Sequence, residues 1–404
     1  MTPIKQSTNI ATGLATASSA KKSRRNIANG AQSPCDLAAQ LVTQAVGSAM
    51  QKADITVASS VLLFLTSEFA NDPQSAIKAA AKTANCTQII GCSATGIFTE
   101  EDWIIDSPAA AAMVFSGGIN LCNVREPQQN QLMLTLTAPN AINTTWLNDH
   151  GVRFGGVSGD AIGHGPFSVW ENGKGTVQGR CEVKFQNTQG AVAASHGLRF
   201  LNIPALVTSC TEHDVMMLNQ TSAWKSLQTA WQKHYGNASL PMHQLIAVYS
   251  DSLTLIEKGQ YNLGSLIACD EVAETVTLAK VLTEQQWLCW AIRDEQAAAD
   301  DFKTTAKTLG GTLNNVYNTT NHQATTPDFG LLFSCLGRGP YLYDGQDKDL
   351  LILRELYPNM PFIGFYGNGE IAPINGKNEL LQYSAVLGLF KENTRNNSKE
   401  NIPV

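Results

Sequence analysis

The chain has 404 residues, 43% of them hydrophobic and only 15% charged, with a formal net charge of −6. That length and apolar content suit two or three domains with real cores. The acidic balance, without a basic domain, excludes phosphate-backbone binding and hence a nucleic-acid partner. Apolar runs such as Ala109–Phe115 are far too short to cross a bilayer, so no membrane is expected either.

Residues 1–34 hold no Asp or Glu, are rich in Ser, Thr and Ala, and carry Lys21-Lys-Ser-Arg-Arg25. Without an apolar h-region this is no secretory signal; it reads as a flexible, polar lead-in, with an organelle transit peptide as the alternative. Residues 34–51 follow as a helix, with Asp36 in the first turn and Leu37, Leu41 and Val42 at helical spacing. A buried strand over 55–65 leads to a helix over 71–85 that Pro73 opens. Residues 88–90 enter the glycine turn Gly91-Cys-Ser-Ala-Thr-Gly96. Strands are expected over 110–115 and 131–136, and 150–165 is a glycine-dense crossing. Asn172-Gly173 marks a hairpin over 167–185. Trp224, Leu227 and Trp231 share one face of a helix through His234, a core stripe.

Strands then follow over 245–249, 265–269, 275–281 and 287–292. Residues 294–309 form an alanine-rich helix that Gly310-Gly311 ends. Two glycine-rich turns come next, Phe333-Ser-Cys-Leu-Gly-Arg-Gly339 and Gly364-Phe-Tyr-Gly-Asn-Gly369, each after a short buried strand, with a helix over 347–357 between them. Beyond 392 the composition is that of a disordered tail, 393–404.

The chain partly repeats. Leu62-Leu-Phe64 echoes Leu331-Leu-Phe333, Gly91 and Gly96 echo Gly364 and Gly369, and apolar runs ending in Phe115 and Phe390 follow. A strand–helix–strand–strand unit used twice gives an α/β fold of two related lobes, with mixed β-sheets flanked by helices.

Standard catalytic templates are absent: no Walker loop, no H-E-x-x-H, no G-x-S-x-G and no zinc-spaced cluster. No catalysis is therefore expected, with an enzyme using Cys335 or Glu370, or a protein-binding adaptor, as the alternatives. Nine cysteines without C-x-x-C fit free thiols in a reducing cytoplasm. Cys335 reads as a buried cysteine or, beside Arg338, as a reactive thiol. Glu370, in an apolar-flanked turn, needs a partner, and Arg338 is the expected one. Ala191-Val-Ala-Ala-Ser-His-Gly-Leu-Arg-Phe200 delivers His196 beside Gly197, with room for a plate-like ligand. There an imidazole can bind iron axially while Arg199 meets a propionate. A satisfied structural histidine is the alternative.

Ile90-Gly-Cys-Ser-Ala-Thr-Gly96, Gly155-Gly-Val-Ser-Gly-Asp160, Ile292-Arg-Asp294 and the two C-terminal glycine turns, in that order, resemble the FIST proteins. The resemblance implies an N part over 35–244 and a C part over 245–392. It also implies an intracellular sensor that detects a small molecule and acts through a separate signalling protein. Amino acids or related metabolites are one implied ligand class. Haem b with nitric oxide as the signal and a histidine kinase as the partner is the other. Its implied ligand-binding set is Cys92, Ser93, Gly96, Arg199, Cys335, Arg338, Gly367 and Glu370, with His196 as the metal ligand.

Overall fold

The computed structural model describes residues 10–17, 33–160, 162–175, 179–317 and 326–393. One chain path recurs along it. First, β1 (Ile10–Thr16) leads through helix α1 (Pro34–Ala53) to β2 (Ser60–Thr66), α2 (Gln74–Ala84) and β3 (Ile89–Ala94). A hairpin of β4 (Gly96–Thr99) and β5 (Trp103–Ile105) follows, and β6 (Ala109–Phe115) returns. The second pass is β7 (Asn120–Asn123), β8 (Leu132–Thr137), the one-turn helix α3 (Thr144–Leu147) and β9 (Val152–Val157). Its hairpin is β10 (Val169–Glu171) with β11 (Lys174–Gly175), and β12 (Arg180–Gln186) closes it.

The third pass begins with β13 (Thr188–Ser195) and is interrupted by an insertion. The insertion carries β14 (Leu198–Phe200), β15 (Ala205–Thr211), β16 (Asp214–Leu218), β17 (Thr221–Ser222) and α4 (Ala223–Tyr235). It continues with β18 (Leu245–Ser250), α5 (Leu253–Glu257), β19 (Asn262–Asp270), β20 (Thr275–Leu278) and β21 (Trp287–Arg293). The pass resumes with α6 (Glu295–Tyr317), β22 (Phe329–Cys335), α7 (Gly339–Leu342), α8 (Lys348–Leu356) and β23 (Phe362–Gly367). It ends with the hairpin β24 (Glu370–Ile374) and β25 (Lys377–Leu381), then β26 (Ala385–Glu392).

Each pass builds the same six-stranded sheet: β1-β6-β2-β3-β10-β11, β7-β12-β8-β9-β24-β25 and β13-β26-β22-β23-β4-β5. In all three only the middle pair is parallel, namely β2 with β3, β8 with β9 and β22 with β23. The last two strands of each sheet are a hairpin lent by another pass, so the three units are linked in a ring. Equivalent registers confirm the repeat: Leu63 faces Gly91, Thr135 faces Gly155, and Leu332 faces Gly364. A Cβ on any of those glycines would lie 1.7, 1.9 or 1.7 Å from the facing carbonyl oxygen. Only glycine permits that approach of two buried strands.

The inner faces of the three sheets share one apolar core, in which Phe64, Phe154, Phe333 and Phe365 meet. Phe64 lies 5.0 Å from Phe365, and Phe154 lies 6.2 Å from Phe333, ring centre to ring centre. Helices α1 and α2 cover the outer face of the first sheet, and α6 and α8 that of the third. Among the described residues, the middle sheet carries the one-turn α3 and the buried Arg153, which Glu182 and Asp149 neutralise. Helix α1 forms where the sequence signals it: Ser33 caps it by accepting from the Asp36 N–H, Pro34 opens it, and Asp54 ends it with φ 54°.

Mixed sheets flanked by helices were expected and are found. The strands bearing Phe64, Gly91 and Phe115 run in the same order and directions as those bearing Phe333, Gly364 and Phe390. A third copy, centred on Gly155, accompanies that pair.

Other expectations are corrected. Residues 10–16, placed in a flexible lead-in, form a buried edge strand on β6, where Gly13 lets α1 approach so that Ala45 O would meet an added Cβ at 2.1 Å. Helix α6 runs through Gly310-Gly311, because Gly310 leaves room for the Tyr357 hydroxyl, which donates to Ala306 O at 2.9 Å. Leu227 and Trp231 of α4 share a core with Leu245 and Ala247 of β18 within the insertion. Residues 394–404 of the expected tail lie outside the described residues.

Candidate functional site

The three hairpins cross their host strands at equivalent positions. Opposite the residue that follows each key glycine stand Val169 against Cys92, Ile97 against Phe365, and Glu370 against Gly156. Two of the three are branched aliphatics, as a two-sided buried sheet demands. The third is a fully buried carboxyl group.

Glu370 Oε2 accepts from the Ser384 N–H at 3.3 Å, and Oε1 has no partner among the described residues. Burial pushes its pKa well above the carboxylate range, against the smaller opposing pulls of the Ser384 N–H and Arg338. Burial thus favours the protonated form. Ser384 carries the connection onward. Its Oγ lies 3.1 Å from His196 Nδ1 and donates to Gln382 O at 3.2 Å. When the Ser384 proton goes to Gln382 O, Oγ accepts from Nδ1–H and His196 Nε2 is the lone-pair nitrogen. Nε2 has no partner among the described residues, and the imidazole ring packs 4.7 Å from the Tyr261 ring. Burial, then the Arg338 charge, lowers its pKa to about 4 against the opposing pull of Asp301.

The loop bearing His196 is fixed from below. Asp301 on α6 accepts from Ser195 Oγ at 2.7 Å and from the His196 N–H at 2.9 Å. Gly197, with φ 66°, passes so close to α6 that a Cβ would meet that of Ala298 at 2.7 Å. Arg338, also fully buried, donates to Ser195 O at 2.8 Å and pairs with Asp349 at 2.7 Å. This overturns the expected Arg338–Glu370 ion pair. Asp349, in the first turn of α8, reaches the guanidinium first, and no ion pair joins Arg338 to Glu370 among the described residues.

Above this polar core lies a cleft of about 510 Å³ between the insertion, α3 and the β24–β25 hairpin. His196, Arg293, Tyr249 and Tyr383 are on its wall. Tyr383 takes φ 57°, an uncommon conformation for an aromatic residue, and its ring occupies the space that a Cβ on Gly337 would need. The Arg293 guanidinium lies over that ring. Gly337 thus serves the cleft, whereas Gly339 makes room for Tyr366, 2.5 Å from an added Cβ.

The structure gathers Cys335, Glu370 and His196 around Ser384, with Arg338 on the adjoining Ser195, but disperses the rest of the expected set. Cys92 is a buried core thiol whose pKa burial raises. Ser93 Oγ sits 3.1 Å from Ser158 Oγ, and Gly96 and Gly367 are close-packing positions. Arg199 is on the surface, paired with Asp294 at 2.7 Å and donating to the Tyr235 hydroxyl, away from the cleft wall. Cys335 is a poor nucleophile, since burial, then the nearby Glu370, raises its thiol to about 12. Sequence reading missed Ser384, Tyr383, Tyr261, Asp301 and Asp349, which carry no local motif. Arg293 lies in Ile292-Arg-Asp294 and was a findable residue.

Two uncharacterised mycobacterial proteins are similar along most of their length. One from Mycobacterium bovis is 23% identical over 331 residues, covering 75% of this chain and 82% of the relative. One from Mycobacterium tuberculosis is 22% identical over 331 residues, covering 75% and 83%. From α4 to β24, a stretch that holds Arg293, Cys335, Arg338 and Glu370, residues 224–373 match the FIST C domain, a signal-transduction sensor module.

Proposed function

We propose that this protein senses a small organic molecule that enters the cleft above His196 and signals through a separate protein. The observation that carries the reading is the buried, unpartnered Nε2 of His196, a histidine whose pKa burial lowers, on the wall of a 510 Å³ cleft. That volume lies within the usual range for small-molecule sites, and an unpaired buried polar atom is costly unless something meets it. The sensor class of the FIST C match supports the same reading. A metabolite such as an amino acid is the first ligand class, a FIST N part precedes the C part, and the protein acts in the cytoplasm without catalysis of its own. The high pKa of Cys335 supports the last point.

Thermal melting of the purified protein with fractionated metabolite extracts tests the proposal. A fraction that raises the melting temperature of the wild type but not of Ala279→Trp, which fills the cleft mouth, is the expected result. A shift that survives Ala279→Trp places the ligand elsewhere.

The same nitrogen favours a second reading, in which His196 is the axial ligand of haem b. When bound, haem supplies an iron that coordinates nitric oxide, and a histidine kinase is the partner of that version. Arg199 does not serve a propionate, being held by Asp294 and Tyr235; Arg293 and Lys280 are the cations on the cleft wall. A Soret band that His196→Ala abolishes while secondary structure is kept supports haem, and a colourless protein after haem supplementation removes it.

A further inference from the structure

Resting on the cleft reading above, we infer that the ligand is a small organic carboxylate whose anionic group is held by the Arg293 guanidinium. Arg293 is the last residue of β21 and reaches the cleft from the insertion. It is partly buried, yet it has no carboxylate within ion-pair distance among the described residues. Its Nε–H has no hydrogen-bond partner there either, and Tyr383 is the one side chain that hydrogen-bonds the rest of the guanidinium among the described residues. A buried Nε–H without an acceptor is costly, and a planar carboxylate can satisfy two guanidinium N–H groups at once.

The surroundings fit that chemistry. The guanidinium lies over the ring of Tyr383, which sits in a strained backbone conformation at the cleft wall. Such strain collects where a side chain must be aimed. Lys280 adds a second cation to the wall against one carboxylate, Glu379. Ile142, Leu198, Leu263 and Leu380 offer an apolar bed for the ligand's carbon skeleton. His196 Nε2 is an acceptor, suited to a hydroxyl, amide or ammonium group elsewhere on the same molecule.

Titration calorimetry of the full chain with benzoate, benzamide, benzylamine and inorganic phosphate tests this. Benzoate is expected to bind at least about tenfold more tightly than benzamide, the margin of a charge-assisted pair. Arg293→Gln should erase that preference. If Arg293→Gln does not fold, Arg293→Lys keeps the charge but loses the planar fork, and its benzoate affinity should fall several-fold. Benzamide, benzylamine or phosphate binding as tightly as benzoate, and lost in Ala279→Trp, overturns the carboxylate assignment while leaving the cleft a ligand site. Binding of no probe overturns both.

Discussion

Two equivalent places in the molecule were built differently. In the first unit the chain brings Thr16, Ala109 and Ile97 to the positions that His196, Ser384 and Glu370 hold in the third, as the shared registers show. The first set is what a sheet core calls for. The second threads a hydrogen-bonded line from a buried acid to the edge of a cleft. The insertion of β14 to β21 begins directly after His196, so the polar set occurs where the repeat was interrupted. The repeat supplies rigidity, and one of its three copies has exchanged apolar packing for unsatisfied polar atoms. A rigid scaffold with one such place is the arrangement a binding site needs.

The largest effect that separates the two places is expected at Arg338. Arg338→Ala leaves Asp349 charged and buried, and strips donors from Ser195 O and Ala298 O. The expected loss is about 3–5 kcal/mol, read by denaturant unfolding. Little change in the unfolding midpoint would mean that the third unit is not held together by this pair.

Next come the glycines of the repeat. Gly91→Ala, Gly155→Ala and Gly364→Ala each drive a methyl into a facing carbonyl. Each should cost at or above the top of the roughly 1–3 kcal/mol range for overpacking. Three similar losses sharpen the threefold equivalence; a harmless Gly155→Ala breaks it.

The glycine spacing made two copies of the repeat legible, because Gly91 and Gly364 are each followed by a second glycine five residues on. The third copy was hidden. In it Asp160 replaces the second glycine, α3 is a single turn, and a long loop separates β9 from β10. Residues 10–16 were hidden too, since a strand rich in Ala, Thr and Gly, with Ile10 and Leu14 as its large apolar residues, gives a weak strand signal until α1 is seen packed on it. At the site, Cys335, Arg338, Glu370 and His196 were legible as chemistry-bearing residues. Their partners were not, because Asp349 and Asp301 look like ordinary helix carboxylates. Tyr383 and Ser384 acquire meaning only from the register of β26.

A smaller effect concerns Glu370. Its folded pKa is raised, so its stabilising contribution is complete below the ordinary glutamate value and is lost as pH rises toward the folded value. Glu370→Gln removes that dependence. The variant should gain on the wild type by at most about 1.4 kcal/mol per pH unit through this window. Parallel stability–pH curves for the two proteins would show that Glu370 is ionised in the fold, like a surface carboxylate.

The most direct test of the central claim, that the third unit holds a neutral histidine with a bare Nε2 beneath the cleft, is nitrogen-15 NMR of the His196 ring across pH. The predicted result is a single neutral tautomer, protonated at Nδ1, which begins to ionise only near pH 4. Titration near the ordinary histidine value of about 6.5, with both tautomers present, would contradict it.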